Sequence, residues 1–282
     1  MLMHSYLIVI FNENVFDTPT YKTLIKMLSI YPHSAVLYVW DNSPFPQHEH
    51  GILSEIENVE LKYYHTSSNK NLSIVYNKVM ELAFEGNSDY ITLLDQDSYI
   101  SPDFKQSIDK VPCQYLLVPK VCSDKTGKLI SPRYQQYNYL LNKCSIDYLE
   151  PQLCPGKFES KHMFAVGSGM TISKSLWLTG IRFQDKLSFY GVDTEFCVDY
   201  ATQNESFILL DATIKHNASN EHDEGYDKFK WRLTKYYEHW QYQLIHHVRL
   251  PKILAYFYVH LSLKYMLLKN MTNRFIKLIL KQ

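Results

Sequence analysis

Two carboxylates one residue apart, Asp95 and Asp97 in the string Asp95-Gln96-Asp97-Ser98, end the apolar run Ile91-Thr92-Leu93-Leu94. A pair at that spacing can address one hard cation, and the oxygens of a diphosphate can complete its shell; Mg²⁺ and Mn²⁺ both favour such ligands. Asp-x-Asp pairs also occur on solvated turns, so the preceding strand matters: it delivers the pair to a ligand-facing edge. Asn12 and Asp41 also follow apolar runs, Tyr6–Phe11 and Ala35–Trp40. His216 closes a later run, Phe207–Lys215. A lone histidine is more often structural than metal-ligating. Gly167-Ser168-Gly169 is a small-residue stretch that suits a tight turn or a close backbone approach.

The elements that must position these groups read as a parallel α/β sheet. Tyr6–Phe11 is a continuous, β-branched-rich run, as expected of a strand covered on both faces. Thr18-Pro19 is an N-cap followed by proline at the first helical position, and Leu24, Ile25 and Leu28 stripe the helix. A strand over Ala35–Trp40, another near Val59–Tyr63, a helix over Ile74–Phe84 and a strand over Tyr90–Leu94 follow. In such sheets ligands gather at the carboxyl ends of the strands, which places Asn12, Asp41 and Asp95 at one crevice. From Lys110 to Met170 the pattern weakens, with Pro112, Pro119, Pro132, Pro151 and Pro155 punctuating it. Beyond Tyr226 the sequence reads as helical.

The 282 residues are 46% hydrophobic and 15% aromatic, enough for a packed core and contrary to disorder. The net charge of +0 hides an asymmetry: no Asp or Glu follows Glu238, while Arg249, Lys252, Lys264, Lys269, Arg274, Lys277 and Lys281 do. Such a tail suits an anionic surface. Cys113, Cys122, Cys144, Cys154 and Cys197 form no C-x-x-C pair, which points to reduced cysteines and a cytoplasmic setting. Met1–Phe11 lacks a basic n-region, so no signal peptide is expected. Ile253–Leu268, the most apolar stretch, carries His260 and Lys264 and is a poor membrane span.

The chain resembles a family 2 glycosyltransferase and, within that family, bacterial rhamnosyltransferases of surface polysaccharide synthesis. The resemblance rests on the order and spacing of Leu7-Ile8-Val9-Ile10-Phe11-Asn12-Glu13, Val39-Trp40-Asp41-Asn42-Ser43, Asn71-Leu72-Ser73 with Tyr76-Asn77, Leu93-Leu94-Asp95-Gln96-Asp97-Ser98, and Phe189-Tyr190-Gly191-Val192-Asp193-Thr194-Glu195-Phe196-Cys197. It implies a Rossmann-like GT-A domain over residues 1–225 and a basic, amphipathic helical tail over 226–282. It further implies that Phe11, Asn12, Glu13, Asp41, Asn71, Asn77, Asp95 and Gln96 bind a nucleotide-sugar donor, with Asp41 reading the base. Asp97, with Asp95 and His216, would hold Mg²⁺ or Mn²⁺. Asp193 would be the general base of an inverting transfer, and Gly169, Tyr190 and Glu195 would face the acceptor. Capping offers a structural alternative for Asp41, Asn71 and Asp193, and a plain surface helix position for Asn77. Val192 stands where the family commonly has Glu, Asp199 where it has Arg, and Trp240-Gln241 where it has Arg-Asn.

The expected reaction moves a sugar, dTDP-rhamnose first and UDP-galactose, UDP-galactofuranose or UDP-glucose next, to a hydroxyl of a lipid-linked saccharide. The expected setting is peripheral, on the inner face of the cell membrane. In the last helix Met271, Phe275, Leu278 and Ile279 share one face and Arg274, Lys277 and Lys281 another, as on a helix docked to anionic lipid. No nucleic acid is expected as a partner, because no recognition module accompanies the charge. Homo-oligomerisation is left open. Two other classes compete: a Mg²⁺ phosphohydrolase of the haloacid dehalogenase type with Asp95 as nucleophile, and a GT-A-like glycan-binding protein without turnover. Against the first, Ser98-Tyr99 follows where that type has Gly and Thr, and Asp95 comes after two βα units rather than opening the fold.

Overall fold

Strand and helix formation in the first half follow from where apolar side chains can be covered. In a computed structural model, which describes residues 2–48, 57–112, 114–150, 152–216 and 225–279 (side chains to 274 only), β1 is His4–Ile10 and β2 is Ala35–Asp41. Both are buried along nearly their whole length, and each has a neighbouring strand on either side. Between them α1 (Pro19–Ile30) starts where the Thr18 side chain accepts from Tyr21 N at 3.1 Å and Pro19 fixes the first helical φ. Tyr21, Leu24, Met27 and Leu28 bury its inner face, with Ile25 at the margin. β3 (Val59–His65), α2 (Leu72–Glu85) and β4 (Tyr90–Asp95) complete the parallel half.

Register makes the crevice concrete. β1 pairs in parallel with both β2 and β4, with Ile10 opposite Asp41 and Val9 opposite Asp95. The carboxylates that end β2 and β4 therefore flank the end of β1 on the same sheet edge.

The weakly patterned stretch from Lys110 to Met170, with its flanks, adds strands to this sheet and forms a second one. It holds β5 (Ser98–Ile100), α3 (Phe104–Asp109), β6 (Leu117–Ser123), β7 (Leu129–Ser131), β8 (Arg133–Asn138), β9 (Lys143–Tyr148), β10 (Gly156–Glu159), β11 (Met163–Phe164) and β12 (Thr171–Ser173). A short helix α4 (Lys174–Trp177), then α5 (Val192–Gln203) and β13 (Ser206–His216) follow. Among the described residues the main sheet has 10 strands in the order β10-β13-β6-β12-β4-β1-β2-β3, with β5 on β13 and β7 on β6. β12 runs antiparallel to β4 and β6, whereas β13 runs parallel to β6. A separate 3-stranded sheet is ordered β11-β8-β9.

The chain divides into two compact units, Met1–Gln135 with Ile146–Ser188 and Val192–Glu221, and Gln136–Ser145 with Phe189–Gly191 and His222–Gln282. The second unit is built on α6 (Tyr226–His246) and α7 (Lys252–Ile279). Tyr237, Trp240, Leu244, Ala255 and Val259 form its core. Among the described residues no helix is long and apolar enough to cross a membrane. Of the expected terminal stripe, the side chains of Phe275, Lys277, Leu278, Ile279 and Lys281 lie outside the described residues.

Candidate active site

Three potential ligands meet where β4 and β13 end. Asp95, Asp97 and His216 each offer an atom within 4.8 Å of the others. The histidine arrives through long-range pairing: β5 runs antiparallel to the end of β13, and Ser98 lies directly opposite His216. His216 Nδ1 is then 3.3 Å from an Asp97 carboxylate oxygen and 3.2 Å from Ser98 Oγ.

The turn that carries the two aspartates is held from α1. Thr20 Oγ1 accepts from Ser98 N at 2.8 Å and lies 2.5 Å from the Asp95 carbonyl oxygen and 3.0 Å from that of Ser98. Ser98 Oγ is 2.7 Å from Ser168 Oγ, which accepts from Asp95 N at 3.4 Å. Gln96 braces the neighbouring strand end: its side-chain oxygen accepts from Phe11 N and its amide donates to Glu13, both at 2.7 Å. Thr20 and Ser168 belong to the positioning machinery and had no separate signal in the sequence, because both bonds depend on non-local approach.

The electrostatics fit a cation. Burial raises the Asp95 carboxyl from 3.8 to about 6; His216 counters this, while Asp97 and Asp193 reinforce it. Burial also raises Asp97, with His216 again opposing. Glu13 is raised by burial and then by the charges of Asp97 and Asp17. Carboxylates that hold one another's protons in this way relieve their repulsion by sharing a divalent ion, and two carboxylates with an imidazole are an ordinary donor set for Mn²⁺ or Mg²⁺.

Asp193 sits in the first turn of α5, which begins at Val192. Its carboxylate accepts from Thr194 N at 2.8 Å and Gly167 N at 3.2 Å. Burial pushes its pKa up; the hydrogen bond from Thr194 and the charge of Arg133 pull it back. The charge of Asp193 acts on Asp95 and on the buried phenol of Tyr76, so the first unit brings it to the same region as the β4 end.

On the β2 side, Asp41 is buried, and its carboxylate accepts from Ser43 N and Gln47 N at 2.8 Å and from the Tyr63 hydroxyl at 2.5 Å. Burial raises its pKa, but the hydrogen bonds from Ser43, Tyr63 and Gln47 outweigh that and leave it lowered, hence ionised. The turn-capping role is thus present in the structure. Asn42 fixes the wall beside it, accepting from Trp40 Nε1, Thr66 Oγ1 and Lys70 N. Asn12, with φ 54, turns the chain out of β1 and donates its N–H to Ser43 Oγ at 2.7 Å.

Several expected roles change once contacts are known. Asn77 is no plain surface position, nor does it present a vacant amide: it accepts from Phe183 N at 2.9 Å and donates to Phe183 O and Asp185 Oδ1 at 2.8 Å. Asn71 precedes α2 without a side-chain cap bond and donates to Asp185 O at 3.2 Å. Gly169 is buried rather than turned to an acceptor; with φ +87, a Cβ there would lie 2.5 Å from Ile214 Cδ1 and Pro119 Cγ. Glu195 is 2% exposed, inside the base of α5. Tyr190 belongs to the second unit, stacked on Tyr236 at 3.7 Å with Phe189 edge-on at 4.9 Å.

No sequence-family definition matches the chain, and no curated protein matches it. Solved structures do. A crystal structure of TarS from S. aureus superposes with a TM-score of 0.54 at 14% identity, over 90% of this chain and 41% of that one. TarS 1-349 from S. aureus in complex with UDP-GlcNAc superposes with a TM-score of 0.51 at 12% identity, over 90% and 69%. The chain thus spans less than half of the longer TarS structure. At such identities the likeness is one of fold, and it agrees with the Rossmann-like GT-A α/β architecture expected from the sequence.

Proposed function

We propose that the chain is an inverting glycosyltransferase that moves one sugar from a nucleotide-sugar donor to a hydroxyl of a lipid-linked glycan. The observation that carries this reading is the meeting of Asp95, Asp97 and His216 at the ligand edge of the sheet, beside the strand end that carries Asp41. The fold supports it too, being shared with a protein solved in complex with UDP-GlcNAc. That complex favours a uridine nucleotide; the rhamnosyltransferase-like strings favour dTDP-rhamnose.

Each residue then has a physical task. Asp41, ionised and held by its turn, accepts from a ring N–H of the base. Phe11, Asn12 and Glu13, braced by Gln96, border the donor at the end of β1. Asp95, Asp97 and His216 would hold Mg²⁺ or Mn²⁺, which would supply positive charge to offset that of the departing diphosphate. Asp193 takes the proton of the acceptor hydroxyl as its oxygen attacks the anomeric carbon, and its raised pKa makes it a better base than a solvated carboxylate. One direct displacement inverts the anomeric centre. A lipid-linked acceptor places the reaction at the inner face of the cell membrane.

Calorimetric titration with UDP and dTDP, with and without Mn²⁺, tests the donor side. Metal-dependent binding of one nucleotide by the native chain, lost in Asp97→Ala, is the expected result. Absence of binding together with phosphate release from simple phosphate esters would replace this reading with the phosphohydrolase. Glycan binding without donor turnover would leave an inactive relative.

A further inference from the structure

A large exposed apolar surface lies on α7, within the second unit. Ala255 and Val259 bury one side of this helix against Tyr237, Trp240 and Leu244 of α6. On the other side Ile253, Phe257, Leu261, Tyr265, Leu268 and Met271 recur at helical spacing and are 51–70% exposed. A soluble helix paired on one side normally turns polar residues outward, so a continuous outward stripe of this kind marks an interaction surface. The stripe begins upstream of the one read from sequence and shares only Met271 with it.

We propose that this outward face of α7 lies in the headgroup region of an anionic lipid bilayer. Charge selects the occupant. Exposed Arg249, Lys252, Lys264 and Lys269 accompany the stripe, and no acidic residue follows Glu238. Lys264 projects among the apolar side chains, between the angular positions of Ile253 and Phe257. At a lipid surface its stem packs on the apolar layer while its ammonium reaches the phosphates. In a symmetric pairing of two α7 faces, the same lysines would meet each other with no carboxylate on the helix to pair them. Tyr258 and Tyr265 sit toward one margin of the stripe, where rings with one polar end suit a membrane interface.

A second feature adds to the patch. The Tyr258 hydroxyl donates to Leu140 O at 2.8 Å, and Trp240 Nε1 donates to Tyr139 O at 2.6 Å. These bonds fasten the tip between β8 and β9 at the Tyr258 margin of the helix, and Leu140 and Leu141 there are themselves more than half exposed. Among the described residues no helix is long and apolar enough to cross a bilayer, and the proposed contact is in-plane.

The inference does not depend on the transfer reaction, and its test reads out separately. The full chain is floated with vesicles of neutral phosphatidylcholine alone or mixed with anionic phosphatidylglycerol, at low and high salt. Binding to the mixed vesicles, weakened by salt and by removal of the anionic lipid, is expected. Each surface lysine contributes roughly a fivefold factor, so K264Q/K269Q weakens binding about 25-fold. F257S/L261S abolishes it while leaving nucleotide titration intact, because both side chains are exposed in the fold. Phe257→Trp with brominated lipid distinguishes insertion from loose charge attraction, and quenching of the new indole beyond the native background is expected. Equal binding to neutral and anionic vesicles, no binding, or a dimer that F257S/L261S converts to monomer would overturn the proposal.

Discussion

At the residue scale, a cluster that welcomes a cation is one that the folded chain tolerates poorly without it. Asp95 titrates near 6 in the fold against 3.8 ordinarily, because burial and two neighbouring carboxylates disfavour its charge. A carboxyl raised in the folded state adds no penalty below its unfolded pKa and the full penalty above its folded one, so this contribution to stability falls as pH rises through that window. With chelator present, Asp95→Asn should therefore raise Tm by about 6–12 °C near pH 8 and leave it unchanged near pH 3. Thermal unfolding at the two pH values checks this; equal shifts would remove the electrostatic account. Mn²⁺ should stabilise the native chain and have little effect on the variant. Asp193 carries a different expectation. Asp193→Asn should lower kcat by roughly 10²–10⁴-fold with nucleotide titration unchanged, and the native rate should fall as acid protonates the raised carboxyl. A variant with unaltered kcat would assign Asp193 to capping alone.

At the element scale, the sequence was most legible where strands are covered on both faces. β1, β2 and β4 are continuous apolar runs, and polar residues at their ends marked the ligand edge. The stretch from β6 to β12 was not legible, because its strands are short, are broken by prolines and face partners far along the chain. β9, exposed throughout, has no alternation to read. His216 could be placed at a strand end, but its ligand neighbours come from the β5–β13 pairing, which no local pattern encodes. Gly169 shows the reverse: the small residue was visible, its reason was not. A methyl group there would collide with Ile214 and Pro119 on a backbone of φ +87. Gly169→Ala should cost about 3 kcal/mol, measured by denaturant unfolding, and a loss under about 0.5 kcal/mol would show that the strands yield.

At the scale of the whole molecule, the candidate site and the exposed apolar face belong to different units. The first contains the carboxylates and strand ends; the second pairs two helices and leaves an apolar, basic face outward. The charge imbalance after Glu238 announced that face in the sequence. Its position on the helix required the α6 contacts, since only they show which side is already covered. The second unit also draws in Gln136–Ser145 and Phe189–Gly191 beside the helices that follow residue 225.

The seam along α2 has a consequence of its own. Leu72 N and Ser73 Oγ donate to Ser188 O and Leu187 O, Asn71 and Asn77 clasp residues 183–185, and Phe183 stacks at 4.2 Å on Phe196, one turn from Asp193. Residues 71–77 thus behave as a ruler against which the acidic end of α5 is measured. An insertion after Asn77 leaves the ruler intact, whereas one within it swings the second asparagine by about 100° and loses the reading. Substitutions on the outer side of α2 then leave the register untouched, whereas changes along its first two turns must preserve all four contacts at once.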